Sequence, residues 1–253
     1  LALDANTTGQ YNSAVGYATL SANTTGSYNV AVGLTALENA TDANSNVAIG
    51  YTALNATTTG QMNVAVGTNA LAANTTASNN VGIGQNALND NTTGTSNTAV
   101  GTSALSTITT ANNCTAVGKD ALKLNTEANN TAVGFAVLEA NTTGGSNTAV
   151  GYAAMDANST GSDNVAIGRD ALGKNTTASE NVAVGRATLG DNTTGTANTA
   201  IGKSALGTNT TASNNTAVGY HALLTNSTGT GNTSVGAYAL DESTTGSYNT
   251  AIG

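Results

Sequence analysis

The sequence predicts an all-β fold, a parallel β-solenoid of fifteen coils, and three observations predict it. A seventeen-residue unit recurs fifteen times, the chain contains no proline, and each unit carries two strict apolar columns in a background of Asn, Thr and Gly. A fixed period of this kind implies stacked coils, each in contact only with its neighbours.

The period is read from the glycine that closes each unit, running from Gly16, Gly33 and Gly50 through Gly118 and Gly134 to Gly236 and Gly253. The step is seventeen residues except between Gly118 and Gly134, where it is sixteen. Counted from the residue after each closing glycine, the unit is x-x-Ala-Leu-x-x-Asn-Thr-Thr-Gly/Ala-x-x-Asn-Thr/Val-Ala-Val/Ile-Gly. Position 4 is leucine apart from Met155, and position 16 is always Val or Ile, from Val15 to Ile252. These two columns read as the inward faces of two strands. Position 15 is alanine except at Gly82 and Ser234. Neighbouring strand side chains point to opposite faces, so this column is expected to face outward. An outward column that admits only small side chains predicts a second backbone packed against it.

Missing proline fits the same picture. A chain of 253 residues ordinarily carries about a dozen, and losing all of them implies that nearly every backbone N–H is used in a ladder. A helical reading fails on the abundance of β-branched residues, Gly and Asn. Disorder fails on the periodic apolar columns and the modest net charge of −8.

The "NTTG" and "NTTA" stretches carry turn chemistry, with Asn tolerating left-handed conformations and Gly supplying positive φ. The short unit, "KDALKLNTEANNTAVG", is expected to lose its residue in that turn, because loops absorb length changes that ladders do not.

Position 13 is asparagine in fourteen of fifteen units: Asn12, Asn29, Asn46, Asn63, Asn80, Asn97, Asn130, Asn147, Asn164, Asn181, Asn198, Asn215, Asn232 and Asn249. Cys114 is the exception. In coils about 4.8 Å apart, equivalent amides can bond to one another and to the turning backbone, so this column is expected to be a structural ladder.

Composition excludes several classes. A pI near 4.2 argues against nucleic-acid binding, and no run of about twenty apolar residues could enter a membrane as a helix. One cysteine cannot form an intramolecular disulfide. Because residue 1 sits inside a repeat and residue 253 closes one, residues 1–253 are expected to be a single repetitive segment of a longer fibrous protein. Fifteen coils give a rod of roughly 70 Å. One Leu and one Val or Ile per seventeen residues is thin burial against the entropy of ordering a coil, so contact with further copies of the chain is expected, cyclic about one long axis.

The phrase "NVAIG" (Asn46 to Gly50, and again Asn164 to Gly168) resembles the repeated phrase in the heads of trimeric autotransporter adhesins. The full unit, as in "NTAVGYHALLTNSTGTG", is similar to the repeats of long bacteriophage tail fibres. The resemblance implies a left-handed, homotrimeric β-roll, extracellular on a virion tail or cell surface, used in attachment to a host-surface glycan or protein. The unit is longer than the usual adhesin-head repeat, and no neck, anchor or chaperone sequence is present.

Candidate chemistry is sparse. His221 is the only histidine, which rules out a multi-histidine metal site within one chain, and Cys114 has no histidine beside it in sequence. The carboxylates Asp4, Glu38, Glu139, Asp156 and Asp241 share position 5, with only Glu139 and Asp156 in successive coils. No catalytic residue, cofactor or metal site is expected, and the chain is not read as an enzyme. Position 1 is richer. Tyr152, Arg169, Arg186, Lys203 and Tyr220 stack in successive coils as a solvated face or a contact strip for a receptor. Asp163 and Glu180 are possible partners for these cations from a neighbouring chain. The Asn-x-Thr sequons, for example at Asn23, Asn74 and Asn192, would be acceptor loops in a glycosylating source.

The leading expectation is therefore a structural and adhesive fibre segment. Two alternatives stand beside it: an ice-binding solenoid, weakened by the paired threonines lying in a turn, and a subunit of a bacterial or archaeal extracellular filament.

Overall fold

The computed structural model describes residues 1–253. It contains no helix, and its regular structure is a set of three-residue strands, one per repeat. The chain divides into two compact units, residues 1–128 and 129–253, with the boundary inside the sixteen-residue repeat. The first holds β1 (Ser13–Val15) to β7 (Thr115–Val117), and the second holds β8 (Thr131–Val133) to β15 (Thr250–Ile252). Within each unit the strands pair in parallel and in chain order, with a register of one repeat. Val47 lies opposite Val64 and Ala48 opposite Ala65 in the first, and Val165 opposite Val182 in the second. The architecture is a β-solenoid.

Three corners per coil turn the chain, at positions 2, 4 and 12, and each is held in the left-handed region. Ala187, Leu189 and Ala197 have φ of 53°, 49° and 55°. Non-glycine residues pay about 1–2 kcal/mol for that conformation, and inter-coil hydrogen bonds hold the corners in place: Leu189 N donates to Ala205 O at 3.1 Å and Ala187 N to Arg169 O at 2.9 Å. The closing glycine is a harder requirement. Gly185 has φ of +135°, and a Cβ there would lie 2.7 Å from the carbonyl carbon of Gly202 in the next coil.

The core is a narrow slot. Leu20, Leu37, Leu54, Leu71, Leu88 and their equivalents are fully buried, each contributing about 2–3 kcal/mol of burial. Against them stand the alanines of positions 3 and 15, also fully buried. This reverses the expected sidedness of the strand. Position 15 faces inward, and the Val and Ile of position 16 face outward, with Ile49 40% and Ile167 41% exposed. The reason is width. At Gly82 an added Cβ would already meet Leu71 Cγ and Cδ1 at 3.3 Å, so the leucine column leaves room only for a small side chain, the methyl of alanine or, at Ser234, a hydroxymethyl whose Oγ donates to Ala239 O. Alanine is required there by the chain's own interior, without any second backbone.

Candidate functional site

Two columns of asparagine run through the interior. In the position 13 column Asn46 Nδ2 donates to Gly60 O at 2.9 Å, and its Oδ1 accepts the backbone N–H of Asn63 at 2.9 Å. The same geometry repeats at Asn164, Asn181, Asn198 and Asn215. These side chains are fully buried, so they stitch coils together and are closed to any ligand. Cys114 fits the same slot with a weaker bond, its Sγ donating to Glu127 O at 3.2 Å.

The second column was not distinguishable from turn chemistry in the sequence. Position 7 asparagines such as Asn158 and Asn175 are also fully buried. Asn175 Nδ2 donates to Asn158 Oδ1 at 2.7 Å and to Ala178 O, three residues on, at 3.0 Å. In the short repeat Asn125 Nδ2 reaches Glu127 O, two residues on, at 2.6 Å, which places the missing residue inside this turn. The sequons change meaning accordingly. Asn23, Asn74 and Asn192 are 0% exposed with their amides already donating, so they are core residues in the folded chain and not acceptor loops.

Two exposed files of side chains run from coil to coil within each unit. One is the outward face of the strands, formed by positions 14 and 16. It carries Val, Thr, Ser and Ile, with no charged residue, and Val32, Ile83, Ile201 and Val235 are exposed on it. The other is the position 1 column, where Tyr152, Arg169, Arg186, Lys203 and Tyr220 are all exposed. Two of its three cations have partners within the chain. Arg169 Nε lies 3.3 Å from Asp170 Oδ2, and Lys203 Nζ lies 5.2 Å from the Tyr220 ring centre, a cation–π contact. Phe135 and Tyr152 stack at 5.4 Å, and Tyr220 stacks on His221 at 3.9 Å. No group of three or more His, Cys, Asp or Glu side chains is placed to hold a metal ion.

The chain matches no family model, no curated protein and no solved structure.

The site's chemistry therefore rests on its own residues. It offers an uncharged β-branched sheet face, and beside it a file of aromatic and cationic side chains suited to surface contact.

Proposed function

We propose that this chain is a repeat segment of an extracellular homotrimeric fibre, a shaft or head that serves attachment to a host or surface. The observation that carries the reading is the outward strand face, a registered array of β-branched side chains such as Ile49, Val66 and Ile83 in the first unit. The Val and Ile file on this face gains by being covered. The cover that matches it in repeat and in lack of charge is the same face of another copy, and closed rotation about one axis lets every copy contribute it equally. The choice of three copies comes from the adhesin and tail-fibre resemblance. Light scattering tests the proposal against the 24.6 kDa of one chain. A threefold mass is expected, lost when Ile83→Lys and Ile167→Lys are introduced together. A stable monomer would overturn it.

A second reading, ice binding, is favoured by one observation. Thr199, Thr216 and Thr233 stand on the outward face of consecutive strands, beside Ile201, Val218 and Val235, so part of the threonine content lies on strands instead of in the turn. Thermal hysteresis in a monomeric preparation would move the reading there.

A further inference from the structure

The outward strand face has two margins, and in the second unit they carry opposite charge. Across β10 (Val165–Ile167) the outward side chains are Asp163, Val165, Ile167 and Arg169, alternating with the buried Asn164 and Ala166. One coil on, β11 (Val182–Val184) repeats the order as Glu180, Val182, Val184 and Arg186, around the buried Asn181 and Ala183. Position 12 is the acidic margin and position 1 the basic one, with the strand between them.

Backbone bonds hold both margins in step with the coils. Asp163 N donates to Gly145 O and Glu180 N to Ser162 O, each at 3.1 Å, and the carbonyls of Arg169 and Arg186 accept from Ala187 N and Ser204 N at 2.9 and 3.0 Å. Like charges are thereby stacked one coil apart, Asp163 with Glu180 on one side and Arg169, Arg186 and Lys203 on the other, an arrangement that destabilises an isolated sheet. The chain has six Lys and Arg in all, so half of its cations stand in this one file. Little inside the chain offsets the repulsion. Asp163, Glu180 and Arg186 are exposed and form no ion pair in the chain. Arg169 meets Asp170 through Nε at 3.3 Å, and a guanidinium carries five N–H donors, more than one carboxylate takes up.

Symmetry identifies the partner. A cover for this face must set a base against position 12 and an acid against position 1, on two levels one coil apart and at the width of one strand. A second copy of this chain has that pattern. When copies run parallel and are related by rotation about an axis along the stack of coils, the position 12 margin of one meets the position 1 margin of the next. When they run antiparallel, position 12 meets position 12, and carboxylate is set against carboxylate. The first unit matches its margins by a different chemistry. Tyr11 and Tyr28 stack at 5.1 Å in position 12, and Tyr17 and Leu34 hold position 1 beside the same two strands, all exposed. Parallel rotation sets apolar side chains against one another there, as it sets acid against base in the second unit.

We propose that the two margins are complementary halves of one self-recognition surface, in which Asp163 and Glu180 of one copy pair with Arg169 and Arg186 of the next and fix neighbouring copies parallel. This contact rests on the copy-to-copy packing proposed above, and adds to it the side chains that select the partner and its direction.

Two charge-reversed chains test it, Asp163→Lys with Glu180→Lys and Arg169→Glu with Arg186→Glu, beside a third carrying all four changes. All four positions are exposed, so the interior of the coils is untouched. Each reversed pair gives both margins the same sign, and its association should weaken about tenfold or more by sedimentation equilibrium over a dilution series. Where dilution does not dissociate the parent, the readout is the urea concentration at which the mass falls to 24.6 kDa, which each reversed pair should lower. The fourfold chain regains opposite margins and should recover to within about threefold of the parent. Asp163→Cys combined with Arg169→Cys should link copies through a short bis-maleimide, while either change alone should not, since Cys114 is buried. Reversed pairs that assemble like the parent overturn the proposal, as does a fourfold chain that stays weak or linking of copies by Asp163→Cys alone. An assembled parent indifferent to every reversal keeps the fibre and removes the paired margins, and a monomeric parent removes both.

Discussion

Asn46 Oδ1 accepts the backbone N–H of Asn63 at 2.9 Å, and Asn63 Oδ1 accepts that of Asn80 at 3.0 Å, so one amide column closes the backbone of each following coil. Replacing Asn63 with alanine strands the buried Asn80 N–H and leaves the Ala77 carbonyl, which receives Asn63 Nδ2 at 2.9 Å, with the Asn74 amide at 3.2 Å as its remaining donor. We expect Asn63→Ala to cost about 2–5 kcal/mol in denaturant unfolding. A change below about 0.5 kcal/mol would show that water replaces the amide there.

The two kinds of glycine should respond very differently to the same methyl group. Gly185→Ala places a Cβ at positive φ and 2.7 Å from Gly202, and we expect a loss of about 3 kcal/mol or more in unfolding free energy, or failure to fold. Gly173→Ala meets only Asp170 O at 3.3 Å with ordinary φ, and its effect should stay within about 1 kcal/mol. Ala197→Gly, at φ 55°, relieves a left-handed corner and should raise stability by about 0.5–1 kcal/mol.

Burial of the position 7 amides predicts the outcome of expression in a glycosylating host. Intact-mass analysis of the folded fraction should find Asn23, Asn74 and Asn192 unmodified, and any glycan should appear in material that fails to fold. Cys114, fully buried, should likewise resist a thiol reagent until the first unit opens.

Burial raises the Asp156 carboxyl above its ordinary value of 3.8, with Asp170 and Glu139 adding to the shift and the backbone N–H groups of Asp156 and Ala157 opposing it. A folded-state value above the unfolded one means that the group favours the folded state at low pH, and that this contribution is lost as pH rises through the folded value. Asp156→Asn should therefore be more stable than the parent at neutral pH, and the difference should close as the pH falls to about 3. Thermal melting at several pH values reads this directly. A difference that grows on acidification would mean that the carboxylate makes a favourable contact when ionised.

Period, closing glycine and leucine column were legible because each leaves a strict signature: a fixed step, positive φ, one large apolar residue per coil. Strand sidedness was misjudged because side-chain size was taken to mean depth. In a slot this narrow the order inverts, since leucine from one wall leaves the opposite wall only the methyl of Ala31 or Ala48, and the bulkier Val32 and Ile49 turn outward. The clue was available in the pairing of a nearly unvarying leucine with a nearly unvarying alanine, which are complementary in volume. The position 7 ladder was harder to find. A buried asparagine that bonds three residues on and a turn asparagine share one sequence signature, and only burial separates Asn175 from an exposed loop residue. That Asp163 and Arg169 stand on opposite margins of one outward face could be read only once the sidedness of the strand was known.

Because the bonds between coils recur with the same few offsets from one coil to the next, a coil carries no information about its place in the series. Whole repeats can be added or deleted in the gene with each new junction remaking the bonds of the old one, so length behaves like a ruler graduated in single coils. A change that is not a whole repeat has one tolerated address, the turn where Asn125 reaches Glu127. Such a chain can change its reach without redesigning its interior.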